Sequence, residues 1–145
     1  MSAQNIDWEL LRSKAIAASQ LSYSPYSKFP VGVAGLVSDG RIVSGCNVEN
    51  ASYGLTLCAE CSMTSELIMS GGGRLRAVVC VDKNGELLSP CGRCRQLLYE
   101  HGGKDLQLLT PEGAKSMSEI LPWGFGPDDL SGNNISGNNL SGNNE

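Results

Sequence analysis

Four of the six cysteines in this chain stand in two Cys-x-x-Cys pairs, Cys58-Ala59-Glu60-Cys61 and Cys91-Gly92-Arg93-Cys94. Two such pairs in one domain signal a zinc site, and three arrangements satisfy the pattern. All four thiolates can close a tetrahedral structural site. One pair can open a helix as a redox dithiol, which leaves the second pair without a role. Alternatively, three cysteines hold the metal, the fourth position stays open for water, and a nearby carboxylate moves protons.

Length and charge narrow these choices. With 145 residues, a single domain buries roughly 68–70% of the surface its unfolded chain exposes, so it has little need of a metal staple. The gap from Cys61 to Cys91 also exceeds the spacing of about 15–20 residues usual for structural zinc pairs. Acidic residues outnumber basic ones, 15 to 11, for a net charge of −4, and no Lys/Arg cluster exists to grip a phosphate backbone. A nucleic-acid partner is therefore not expected. Met1 to Leu10 has no basic start followed by an apolar stretch, and the apolar run Val31 to Val37 is far too short to cross a bilayer. The expectation is a soluble cytoplasmic domain with no membrane partner, where cysteines read as ligands before they read as disulfides.

The chain divides into a domain, residues 1–130, and a tail, residues 131–145, in which Ser-Gly-Asn-Asn occurs three times. The tail reads as a flexible low-complexity segment. Within the domain, Ile6 to Gln20 carries helical spacing with Asn5 as N-cap. Val31 to Val37 and Arg41 to Val48 read as a hairpin turning at Ser38-Asp39-Gly40. A helix is expected from Cys58 to Ser70, stopped by Gly71-Gly72-Gly73, then a strand from Leu75 to Val81. A second helix runs from Cys91 to His101, followed by a strand from Leu106 to Leu109 and a capped helix from Ser116 to Leu121. Strands joined by helical crossovers should run parallel. The expected fold is thus a three-layer α/β/α sandwich with a mixed sheet, an antiparallel hairpin at its edge and parallel strands beyond.

That frame favours catalysis. Cys58 and Cys91 each begin a helix that follows a strand, where open α/β sheets place ligands, and helix N-termini stabilise thiolates. Glu60 lies two residues from a candidate ligand. His101 sits in a last helical turn and is not expected to bind metal. Cys46 and Cys80, in strands, are expected to be core thiols.

Cys-x-Glu followed by Pro-Cys-x-x-Cys is the zinc-deaminase signature with Cys in place of the first His. Residues 23–130 resemble the small homotetrameric cytidine deaminases. The resemblance is carried by Asn47-Val48-Glu49-Asn50-Ala51-Ser52-Tyr53-Gly54, by Cys58-Ala59-Glu60 and by Ser89-Pro90-Cys91-Gly92-Arg93-Cys94-Arg95-Gln96. It implies one Zn2+ per subunit, held by Cys58, Cys91 and Cys94, and hydrolytic deamination of cytidine and 2′-deoxycytidine in pyrimidine salvage. Glu60 would take the proton of the attacking water, deliver it to ring atom N3 and help protonate the departing ammonia. The resemblance further implies that Asn47 and Glu49 bind ribose hydroxyls and that Phe29 stacks on the base. Ala51, Tyr53 and Phe125 would complete a neighbouring subunit's site in a homotetramer.

One position departs from the family. The residue after the catalytic Glu is commonly Arg, where it offsets the thiolate charge; here it is Cys61. Either Cys61 is a small buried hydrophobe, with Arg93 or Arg95 supplying the compensating charge, or it is a fourth ligand that closes the site. Two alternative functions accompany these readings: deamination of a cytosine-nucleoside antibiotic such as blasticidin S, and a non-catalytic four-cysteine zinc-bound interaction domain.

Overall fold

The computed structural model describes residues 5–131. The tail expected over residues 131–145 lies outside the described residues except for Ser131. Five strands form one sheet flanked by helices on both faces. Helix α1 (Trp8–Ser19) leads into the hairpin β1 (Val31–Val37) and β2 (Ile42–Cys46). After a short 3₁₀ turn at Tyr53–Leu55 come α2 (Ala59–Met69), β3 (Leu75–Asp82) and α3 (Gly92–Gly102). The chain closes with β4 (Gln107–Thr110), β5 (Gly113–Ser116), α4 (Met117–Ile120) and α5 (Pro127–Leu130).

The sheet order is β2-β1-β3-β4-β5. Strand β1 lies antiparallel to both β2 and β3, β3 pairs parallel with β4, and β5 returns antiparallel. Strands β2, β3 and β4 therefore point the same way, as their helical crossovers require, with β1 inserted between the first two. On one face, Leu11 and Ala15 of α1 pack on Ala34, Ala77, Val79 and Val81. On the other, Met63, Leu67, Leu98 and Met117 pack on Val33, Val37, Val78 and Cys80. The period-two alternation of β3 sends Val79 and Val81 to α1, and Val78 and Cys80 to the opposite face.

Local chemistry sets the element ends. The N-cap of α1 is Asp7 rather than Asn5; its Oδ1 accepts the Leu10 N–H at 3.0 Å. Asp7 is the residue that brings a side-chain acceptor within reach of the first turn. Glu119 accepts the Ser116 N–H at 2.7 Å, which completes the expected capping box of α4. Gly45 has a reason of its own: a Cβ there would collide with the backbone of Met63 and Ala59. That close approach seats the first turns of α2 directly on β2, and so fixes the position of Glu60. Among the described residues, no helix is long and apolar enough to cross a membrane.

Candidate active site

The C-terminal ends of β2 and β3 open onto the N-termini of α2 and α3. Cys58 and Cys91 are the N-caps of those helices, both with extended backbone (ψ 157° and 166°), and Cys94 follows one turn into α3. Their three Sγ atoms lie within 4.8 Å of one another. A tetrahedral zinc with Zn–S near 2.3 Å holds its sulfurs about 3.8 Å apart, so this trio fits the ion with only small adjustments. Among the described residues the cluster contains Cys58, Cys91 and Cys94 and not Cys61, which sits half-buried in the first turn of α2. The four-thiolate arrangement is not the one the fold adopts.

Burial pushes the Cys58 and Cys94 thiols above their ordinary values, with the Glu60 carboxylate adding to the effect. Burial also opposes ionisation of Cys91, but hydrogen bonds from the Cys94 backbone N–H and from the Cys94 and Cys58 thiols outweigh it and lower that thiol. Metal binding must displace these protons, and the positive ends of two helix dipoles converge where the resulting negative charge would sit.

Glu60, in the first turn of α2, is 3% exposed. Its Oε1 accepts the Cys80 thiol at 3.4 Å. Both residues line a cleft of about 310 Å³ whose walls include Phe29, Asn47, Cys58 and Cys91. Among the described residues, Glu60 is the one carboxylate on that wall. A buried acid beside a trio of thiols able to hold a metal ion is an arrangement suited to shuttling protons.

Asn47 follows β2 and is buried. Its Oδ1 accepts the Val31 N–H at 2.9 Å and the Ser22 hydroxyl, and its Nδ2 donates to the Phe29 carbonyl at 3.0 Å. The carbonyl end is thereby filled, and one amide N–H remains for a ligand. Phe29 is 48% exposed, at the cleft edge rather than in the core. Glu49 accepts the Tyr26 and Ser27 N–H groups at 2.9 and 3.1 Å through one oxygen, Oε1. The hydrogen bond from the Ser27 side chain is the largest cause holding this carboxyl below its ordinary value; the two backbone donors and the Lys28 charge also contribute.

Glu49 and Tyr53 line a second hollow of about 440 Å³, and Thr56 stands on the walls of both this hollow and the cleft. Tyr53, 76% exposed, meets Tyr26 edge-on with ring centroids 6.0 Å apart. Ala51 is exposed beside it. Phe125, 56% exposed, lies elsewhere, in a groove with Tyr99 and Trp123 beyond α4, and does not reach the cleft of its own chain. Arg93 is exposed on α3. Arg95 instead donates to the Pro90 carbonyl at 2.9 Å and the Ile120 carbonyl at 3.1 Å, which secures the loop ahead of Cys91. Arg95 is therefore engaged with carbonyl groups rather than with thiols.

Residues 6–110 match the family described as the cytidine and deoxycytidylate deaminase zinc-binding region. The chain belongs to this family. A cytidine deaminase of Mycobacterium tuberculosis is 55% identical over 126 residues, covering 87% of this chain and 95% of that protein. One from Sporosarcina psychrophila is 37% identical, covering 87% and 96%. Among solved structures, the cytidine deaminase from Mycobacterium leprae superposes with a TM-score of 0.80 at 63% identity, covering 81% of this chain and 99% of that one. The Mycobacterium tuberculosis structure gives a TM-score of 0.83 at 54% identity, covering 84% and 99%. The mixed five-stranded sheet with helices on both faces is thus a cytidine deaminase-like α/β fold; the family is a zinc-binding one, and the three-thiol cluster is able to hold a metal ion.

Sequence reasoning missed two features of this deaminase site. Cys80 was expected only as a core thiol, and it is buried, but it also faces Glu60. The backbone donors of Tyr26 and Ser27 that engage Glu49 carry no side-chain signature at all; the two prolines around them signal only an irregular loop.

Proposed function

We propose that this chain hydrolytically deaminates cytidine and 2′-deoxycytidine to uridine and 2′-deoxyuridine, with release of ammonia, in pyrimidine salvage. The observation that carries the reading is a trio of thiols within 4.8 Å of one another, two of which, Cys58 and Cys91, line a cleft beside the buried Glu60. Cys58, Cys91 and Cys94 hold one zinc. When bound, the ion supplies a Lewis acid that makes water nucleophilic near neutral pH. Glu60 accepts one proton of the attacking water and passes it to ring atom N3 of the cytosine. It then takes the remaining proton from the hydroxyl now on C4 and gives it to the amino group, so that the C4–N bond breaks, ammonia leaves and the C4 carbonyl forms. Phe29 stacks on the base at the cleft edge.

Asn47 offers its remaining amide N–H, and Glu49 its second carboxylate oxygen, to sugar hydroxyls. A carboxylate at that point repels a phosphate, so a nucleoside is favoured over a nucleotide. Arg93 is the candidate for offsetting the thiolate charge in place of an arginine after Glu60. Tyr53, Ala51 and Phe125 are exposed apolar or small groups around and beyond the cleft mouth, which supports a homotetramer in which they complete a neighbour's site. The enzyme acts in the cytoplasm on a small molecule, without nucleic acid or membrane.

The test is ultraviolet assay of the zinc-loaded protein on cytidine, in which the cytosine chromophore is lost as uridine forms. Turnover supports the reading, and a protein that holds one zinc yet leaves cytidine unchanged overturns it. Blasticidin S in a parallel cuvette separates a nucleoside enzyme from an antibiotic-directed one.

A further inference from the structure

We infer that Cys80 is a positioning residue for the deamination proposed above: its thiol donates to Glu60 and holds that carboxylate in the orientation from which it moves protons. Cys80 lies near the C-terminal end of β3 on the face turned toward α2 and α3, and is 3% exposed. Its Sγ–H reaches Glu60 Oε1 at 3.4 Å, an ordinary span for a sulfur donor, and both groups line the cleft beside Cys58 and Cys91. A carboxylate that is 3% exposed has lost most of its water and needs protein donors in exchange.

Cys94 lies close enough to Glu60 for that carboxylate to oppose ionisation of its thiol. A cysteine ligated to zinc is a thiolate and has no proton to give. In the loaded enzyme Cys80 is therefore the thiol left to steady Glu60. Burial, together with the Glu60 charge, opposes its ionisation and keeps the donor in place. The second carboxylate oxygen then remains for water and substrate. Because Cys80 touches neither the reacting water nor the base in this account, its loss should act through Glu60 on kcat.

Three variants and one spectrum test this. Cys80→Val fills nearly the same volume without a donor, Cys80→Ala removes donor and volume, and Cys80→Ser keeps a donor. In zinc-loaded protein, Val and Ala should lower kcat about 10–100-fold while KM moves by less than about 2-fold, with Ser recovering most of the loss. Wild-type kcat in Cys80→Val overturns the inference, since the thiol then serves only to pack.

The spectrum does not depend on activity or on any Cys80 variant folding. In loaded protein, S–H stretching arises only from cysteines off the metal. Replacing Glu60 by Gln weakens the acceptor, so the infrared band of one thiol should move to higher wavenumber. No movement overturns the inference. A wild type inactive on cytidine with the band shift intact would instead count against the deaminase reading alone.

Discussion

Asn47 and Phe29 are tied together: the Asn47 side-chain amide donates to the Phe29 carbonyl at 3.0 Å, while its own carbonyl takes the Val31 N–H at 2.9 Å. One buried side chain at the end of β2 thus fixes the loop that presents the aromatic ring to the cleft. Asn47→Ala should leave the Val31 N–H without its acceptor and release that loop. The expected cost is about 1–3 kcal/mol of stability, read as a lower denaturant midpoint, together with a raised KM for cytidine. Asn47→Asp keeps the acceptor and should lose less stability while still raising KM.

Cys61 stands outside the thiol cluster. Cys61→Ser is expected to purify with the same zinc content as wild type, measured by atomic absorption. Cys91→Ser and Cys94→Ser are expected to lose most of their metal. Zinc loss in Cys61→Ser would show that the fourth cysteine is a ligand after all.

Glu49 has a carboxyl held below its ordinary value of 4.5, chiefly by the Ser27 hydrogen bond. A depressed folded value means that Glu49 favours the folded loop most at pH above 4.5, and that the contribution fades as pH falls through the depressed value. The Tyr26 and Ser27 amide resonances should therefore stay constant above pH 4.5 and shift only below it. Glu49→Gln should abolish that titration and raise KM while leaving zinc bound.

Gly45 lies against the backbone of α2 with no room for a side chain. Gly45→Ala should push α2 off β2, at a cost of about 1–3 kcal/mol. Because Glu60 and Cys58 ride on that end of the helix, kcat should fall along with thermal stability. A variant with wild-type melting temperature and kcat would contradict the seating role.

The parts legible in the sequence are those set by local chemistry. Pro90 ahead of α3, the glycines after α2 and α3, and the Ser116–Glu119 box mark element ends through effects confined to a few residues. The grouping of Cys58 with Cys91 and Cys94 was legible only through the family resemblance, since the same Cys-x-x-Cys spacing at the start of α2 leaves Cys61 outside the cluster. What escaped depends on distant partners. Strand β5 has neither alternation nor β-branched residues; it exists because Gly113, at φ +98°, turns the chain back onto β4. The insertion of β1 between β2 and β3 is a non-local pairing that no short window encodes. Arg95 could not be separated from Arg93 as a partner for the thiols, because the carbonyls it binds, Pro90 and Ile120, meet only in the fold. Cys80 read as core because a buried strand thiol looks the same whether it faces a methyl group or a carboxylate.

The most direct measurement is zinc content and cytidine turnover determined together on wild type and Glu60→Gln. The account predicts one zinc per chain in both proteins, turnover in the wild type, and a fall in kcat of about 10²–10⁴-fold in Glu60→Gln. Cytidine turnover by zinc-loaded Glu60→Gln at the wild-type rate would contradict it.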